Sequence, residues 1–344
     1  MMPIAVRQKL IAIAIVTGIL TVFTLVVASL FKAPLDVNLI IGSVTGLAIA
    51  VIEEFYVQGK PGAWMRRLRP IMAIPINAAA ICVVFVAVQH FAYFVTGKAE
   101  LLSLAHARYP LTIPILFFAT AFAILALRVV GFIGARNLVN LLIGRYMRPI
   151  IERKVMLFLD LRDSTKTVEA LGPVKAKAYI GKFLFDISRQ VTDHGGEIYL
   201  YTGDGLVAIW NWDAAVADTT ILAAIDAIHN AVLVEREIYQ RDFGRVPEFR
   251  IGVHGGDVVV SEQGDTRKAI GIYGDAINIA ARMEQTGKEI GVDCVLSGDL
   301  VMGLPANNSA IKSRGKVSVH GISDPIEVYA YTPKSRTGAR DRQT

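Results

Sequence analysis

Two aspartates stand where a chain readily offers carboxylates to a cation. Asp160 lies near the end of a short apolar run, Val155–Leu161. Asp204 lies in the Gly203-Asp204-Gly205 turn between the runs Glu197–Thr202 and Leu206–Trp212. A fold that sets the strand end beside the turn presents two hard oxygen donors on one edge, a donor set suited to Mg²⁺ or Mn²⁺. Two such ions about 4 Å apart activate an attacking oxygen and stabilise a leaving phosphate. Taken alone, Gly-Asp-Gly is also an ordinary turn. The stretch Leu161-Arg162-Asp163-Ser164-Thr165 reads as the opening of a helix, whose first N–H groups suit phosphate oxygens. Ser164 and Thr165 serve equally well as helix caps. Asn278 and Arg282, four apart in a helical segment, share a face. An arginine there offers a rigid fork to phosphoryl oxygens, although a solvated helix face accounts for the pair as well.

These residues need strands and helices in alternation to hold them. The pattern predicts strands at Val155–Leu161, Glu197–Thr202, Leu206–Trp212, Phe249–His254, Asp257–Ser261, Val292–Leu296, Gly315–His320 and Ile326–Tyr331. Gly255-Gly256 is read as the turn between the fourth and fifth of these. Helices are predicted over Val174–Asp193, Ala214–Asp242 and Asp275–Thr286. The second half of the chain is thus expected to form an α/β or α+β sandwich.

The first half is of another kind. Over 344 residues the composition is 53% hydrophobic and the mean hydropathy is +0.46, which points to a membrane component. Charge-poor runs occur at Leu10–Phe31, Val37–Ile52, Ile71–Thr96 and Tyr109–Leu127. The first is too long for a signal-peptide core, and three more follow it. Basic residues gather before the first run, between the second and third, and after the fourth, so four spans are expected with both ends in the cytoplasm. Residues 1–150 carry 13 Lys+Arg against 4 Asp+Glu, leaving 23 basic and 26 acidic residues beyond. The basic balance therefore belongs to the lipid bilayer as partner and excludes nucleic acid as the reason for it. Cys82 and Cys294 build neither a disulfide framework nor a zinc site. His90, Glu53 and Glu54 are the notable polar residues of this half, read as bundle packing and interface positions or as a sensor site. Organisation is expected as a four-span transmembrane domain (1–130), a helical cytoplasmic connector (131–153), a catalytic domain (154–333) and a disordered tail (334–344).

Four segments taken together, FLDLRDST (158–165), GGEIYLYTGDG (195–205), FRIGVHGGDVVV (249–260) and YGDAINIAARME (273–284), resemble the class III adenylyl/guanylyl cyclases over roughly Val155 to Tyr331. The likeness is greatest to bacterial membrane-anchored forms with a GRYMRP-like linker. The resemblance implies an α-helical transmembrane bundle followed by an α+β ferredoxin-like catalytic domain, in the inner (plasma) membrane. It implies a head-to-tail homodimer with sites at the interface. Asp160, Asp204 and the Leu161 backbone would hold two Mg²⁺ or Mn²⁺ ions. Leu161, Arg162, Asp163, Ser164, Thr165 and Gly203 would line the ATP. Asn278 would orient the ribose and Arg282 the pentacoordinate phosphate, both from the partner chain. Attack of the 3′-hydroxyl on the α-phosphate would then yield cyclic AMP and pyrophosphate. Three positions depart from the family: Leu200 and Gly271 replace the base-selecting residues, and His320 replaces the triphosphate-binding lysine. Three readings follow: an adenylate cyclase, a guanylate or relaxed-specificity cyclase, and a non-catalytic nucleotide-binding receptor.

Overall fold

The computed structural model describes residues 4–30, 32–52, 68–133, 139–140, 143–266, 268–305, 308–318 and 325–334. The chain divides into two compact units, Met1–Val139 and Asn140–Thr344.

The first unit contains helices α1 (Ile4–Leu30), α2 (Leu35–Val51), α3 (Pro70–Val95) and α4 (Leu102–Ile133), with a short 3₁₀ turn at Ala99–Leu101. Each takes up one of the expected apolar runs. α4 extends at both ends beyond Tyr109–Leu127, because a helix continues into polar flanks wherever its backbone bonds are satisfied. Glu53 and Glu54 lie outside the described residues. No Gly-x-x-x-Gly pair was expected within a span to mark a dimer face strongly, yet Gly42 and Gly46 are four apart on α2 and pack within the chain. A Cβ at either would lie 2.8 Å from the Cα of Thr21 or Thr17, so the α2 backbone rests directly on α1. Lys98 Nζ meets Asp36 Oδ1 at 2.6 Å, tying the α3–α4 turn to the start of α2.

By length and composition three helical stretches among the described residues are apolar enough to cross a membrane: Pro70–Val95, Ala99–Leu125 and Trp212–Val234. The third belongs to the core of the second unit. It breaks where Asp218 (φ 49°) and Thr219 (φ 55°) turn left-handed, and it buries Ile221, Leu222, Ile225 and Ile228.

Among the described residues the second unit is built on an eight-stranded sheet. Its strands are β1 (Ile150–Leu161), β2 (Glu197–Tyr201), β3 (Leu206–Asn211), β4 (Phe249–Gln263), β5 (Ala269–Tyr273), β6 (Cys294–Ser297), β7 (Ile311–Val317) and β8 (Ile326–Tyr331). The order is β2-β3-β1-β4-β6-β8-β7, with β5 paired to β4. Among the described residues only β4 and β6 pair in parallel. β1 shows the period of two that a two-sided sheet requires. Val155, Leu157, Leu159 and Leu161 enter one core with helices α5 (Ser164–Leu171), α6 (Pro173–Asp193) and α8 (Thr220–Val234) beside it, whereas Met156 enters the other. On α6, Tyr179, Phe183 and Ile187 repeat every fourth residue and are fully buried; each contributes about 1.5–3 kcal/mol by area removed from water. The opposite face carries α10 (Asp275–Glu289), packed through Ala276, Ala280 and Met283. Between these lie α7 (Trp212–Val216) and α9 (Arg236–Phe243), and α11 (Gly298–Gly303) follows β6.

Four expectations are corrected. Residues 150–153, assigned to a helical connector, are the first residues of β1 and pair with β4 from Ile150↔Val260 to Arg153↔Asp257. Gly255-Gly256 is no turn, for β4 runs straight through it. A Cβ at Gly255 would lie 2.3 Å from the Trp212 ring, and one at Gly256 2.9 Å from the Ala276 Cβ, so these glycines thin the strand for what packs on it. The stretch Ala214–Asp242 is broken into α7, α8 and α9. Finally, β5 stands where no strand was expected. The 335–344 part of the expected tail lies outside the described residues.

Candidate active site

Asp160 lies next to the last residue of β1 and pairs across to Arg250 of β4. The period of two turns it toward the α10 face, with Met156 and Phe158. The β2–β3 hairpin closes over this strand end. Thr202 N–H donates to the Gly205 carbonyl at 3.1 Å, and Gly203 adopts φ 101°, which favours glycine. Gly205 has no room for a side chain, since a Cβ there would lie 2.1 Å from the Leu159 carbonyl oxygen and 3.1 Å from the Asp160 Cα. That close approach brings Asp204 beside Asp160.

The pair is electrostatically strained. Burial pushes the Asp160 carboxyl up from 3.8 to about 6, the charges of Asp204 and Glu284 add to the push, and Arg250 opposes it. Two carboxyls that share a hydrogen bond in a half-buried site need a proton or a cation between them. Their donor set is oxygen only, which fits Mg²⁺ or Mn²⁺ and not a soft metal. Among the described residues no cluster of three or more His, Cys, Asp or Glu is present. Backbone, water or substrate oxygens must therefore complete any coordination shell.

Glu284 is the neighbour that sequence reasoning missed. It sits two residues beyond Arg282, about 200° around the helix, with its carboxylate 4.0 Å from Arg250. Burial raises its pKa, which Arg250 and Lys288 counteract. The only sequence signal was its place as the last letter of the YGDAINIAARME segment.

The expected helix after Asp160 is present. Asp163 takes the left-handed region (φ 53°) and precedes α5. Its carbonyl accepts from Thr167 N–H at 2.9 Å, and its carboxylate pairs with Lys166 at 3.1 Å. No side chain caps α5, so the N–H groups of Ser164 and Thr165 have no intrahelical acceptor. Leu161 is buried opposite Phe249. The Arg162 guanidinium is taken by Asp293 at 3.2 Å and Glu248 at 3.6 Å.

Asn278 is exposed on α10, and Arg282 is half-buried. One Arg282 nitrogen, Nη1, is buried without a hydrogen-bond partner. From α10, the charge of Glu284 adds to the upward push on Asp160. Leu200 is 41% exposed on β2. Gly271 is buried on β5 opposite Ser261. Neither brings a polar side-chain atom. Tyr199 is structural: its hydroxyl accepts from Ile272 N–H at 3.2 Å. His320 lies outside the described residues, and the nearby Arg314 and Lys316 are exposed on β7.

A sheet that joins a strand-end carboxylate to a hairpin carboxylate, with an Asn-x-x-x-Arg helix on the same face, defines a catalytic domain of the nucleotide-cyclase type. The family model for the adenylate and guanylate cyclase catalytic domain matches residues 149–332, and the chain belongs to this family. It is similar to adenylate cyclase 2 of Rhizobium meliloti (strain 1021), 32% identical over 216 residues, or 62% of this chain and 60% of that protein. Adenylate cyclase 1 of the same organism is 32% identical over 183 residues, 50% of this chain and 26% of its own length. A bacterial light-regulated adenylyl cyclase shares the fold, with a TM-score of 0.52 at 18% identity over 68% of this chain and 70% of that one. The chain spans at most 60% of the length of these two Rhizobium relatives.

Proposed function

We propose that the protein is an adenylate cyclase anchored in the plasma membrane, converting ATP to 3′,5′-cyclic AMP and pyrophosphate between two copies of the chain. The observation that carries this is the strained pair Asp160 and Asp204, whose proximity is unfavourable unless a proton or a cation joins them. With the Leu161 carbonyl they would hold Mg²⁺ or Mn²⁺. Such ions, when bound, supply Lewis acidity to the ribose hydroxyl and the phosphate oxygens. The uncapped start of α5 offers N–H donors to the phosphates. The ribose 3′-oxygen bonds to the α-phosphorus as the bond to pyrophosphate breaks, and the hydroxyl proton passes to water. Arg282 offers a desolvated N–H with no partner of its own, a donor suited to the charge that grows on the phosphorane oxygens. Because the charge of Glu284 acts on its own Asp160 and Arg282 lies about 200° around α10 from Glu284, a head-to-tail homodimer would supply Arg282 and Asn278 to the neighbouring chain's carboxylates. The apolar helices Pro70–Val95 and Ala99–Leu125 support the membrane anchor, and the basic residues flanking the apolar runs support a cytoplasmic catalytic unit.

The test is cyclic nucleotide formation by the purified full-length protein with Mn²⁺ and ATP or GTP. Asp204→Ala should abolish it. Mixing Asp160→Ala with Arg282→Ala chains should restore one working site per heterodimer. No product from either nucleotide refutes the enzymatic reading, and failure to complement refutes the interface. A second reading, relaxed base choice, is favoured by one observation: positions 200 and 271 hold leucine and a buried glycine, so neither offers a base edge a side-chain hydrogen bond. Equal turnover of GTP would support it.

A further inference from the structure

The helix pair α3–α4 carries a group of side chains that catalysis leaves unused. His90 on α3 and His106 on α4 meet with their Nε2 atoms 2.9 Å apart. His90 Nδ1 lies 2.8 Å from the Val86 carbonyl oxygen. A carbonyl only accepts, so Nδ1 carries the hydrogen and Nε2 keeps a lone pair facing His106. A ring nitrogen donating to a backbone carbonyl is the outer contact that orients metal-ligating imidazoles. Tyr109 sets its ring edge-on to His106, with centroids 5.1 Å apart. Its hydroxyl is buried without a hydrogen-bond partner. His106 is exposed, and the group lies near the Ala99–Leu101 turn, whose neighbour Lys98 is pinned to Asp36 at 2.6 Å. The site is thus both reachable and held.

We infer that this end of the helix pair binds a transition-metal ion of the zinc class through the Nε2 atoms of His90 and His106. In the ion-free pair the single hydrogen between the rings sits on His106. Entry of the ion shifts that hydrogen to His106 Nδ1, so both lone pairs become available and no net proton is released. At ~2.0–2.1 Å from a tetrahedral ion the two nitrogens stand about 3.3 Å apart. The rings need open only slightly from 2.9 Å. Water and the Tyr109 hydroxyl complete the four-coordinate shell. Imidazole nitrogens favour Zn²⁺, Co²⁺ or Ni²⁺ over Mg²⁺, so this site and the oxygen-only carboxylate pair draw on different ions. Under the topology proposed above, the site faces the non-cytoplasmic side, where it reads external metal.

The test uses the full-length protein, stripped with chelator and then held in excess Mg²⁺ to fill the oxygen site. Zn²⁺ binding is followed by calorimetry, and Co²⁺ binding by visible absorption, which reports nitrogen ligation. The expected result is stoichiometric Zn²⁺ uptake and a Co²⁺ band in the unmodified protein. His90→Gln and His106→Gln should each weaken binding by more than about tenfold, whereas His194→Gln, in the catalytic unit, should not. Absence of uptake and band in the unmodified protein overturns the inference, whatever the variants do. Undiminished binding in both variants overturns it as well.

Discussion

Replacing Asp160 with asparagine should stabilise the metal-free protein while destroying its activity. The amide keeps the shape of the carboxyl and removes one of two like charges. In the fold the Asp160 carboxyl is pushed from 3.8 to about 6, first by burial and next by Asp204. A shift of that size corresponds to about 3 kcal/mol at neutral pH. Water reaches this half-buried edge, which trims the figure to roughly 1–2 kcal/mol. The sign follows from the direction. A carboxyl with a raised pKa favours the fold fully below pH 3.8, and that contribution is lost as pH rises through about 6. In chelator, the unmodified protein should therefore lose stability across this window, and Asp160→Asn should not. At pH 7.5 the variant should melt roughly 2–8 °C higher, taking about 2–4 °C per kcal/mol for a unit of this size. The melt is followed through Trp210 and Trp212 in a Trp64→Phe background, which leaves only catalytic-unit tryptophans. Adding Mn²⁺ should invert the order, because only the intact pair gains binding free energy in the folded state. A variant that melts lower in chelator at pH 7.5, or one with the same pH dependence as the unmodified protein, refutes the like-charge argument.

Three further outcomes follow from the packing. Gly205→Ala drives a methyl into the Leu159 carbonyl, 2.1 Å away. It should cost more than about 2 kcal/mol and abolish the Mn²⁺-induced rise in melting temperature, since the hairpin must lift from β1. Glu152→Ala leaves Lys154, only 7% exposed, without its carboxylate partner at 2.7 Å. It should cost about 3 kcal/mol in denaturant titration, and Glu152→Ala,Lys154→Met should recover most of that. Leu200→Ala removes an apolar contact that carries no base hydrogen bond. It should raise KM for ATP and GTP alike, by less than about tenfold in steady-state kinetics, and leave their ratio unchanged.

What the sequence makes legible is the local chemistry. An aspartate closing an apolar run and another inside Gly-Asp-Gly announce themselves by residue type, and both lie where strand periodicity and turn chemistry put them. Asn278 and Arg282 share a face because a helix repeats every 3.6 residues. The misreadings all turn on partners distant in sequence. Gly255-Gly256 looks like a turn because glycine serves turns and close approaches equally; only the Trp212 ring and Ala276 decide which. Ile150–Arg153 looks like connector until β4 supplies the opposing register. Ala214–Asp242 lacks glycine and proline, so nothing local announces the left-handed residues that break it. Glu284 follows the same rule. Its charge acts on Asp160, and it comes close because Gly252 lets α10 rest on β4: a Cβ there would lie 2.2 Å from the Glu284 nitrogen. That single seating also fixes which way the other side of α10 looks. With Glu284 committed inward, Arg282 lies about 200° around the helix from it. Under the proposed head-to-tail dimer, the face that α10 offers a second chain is therefore set by a glycine some thirty residues upstream of that arginine.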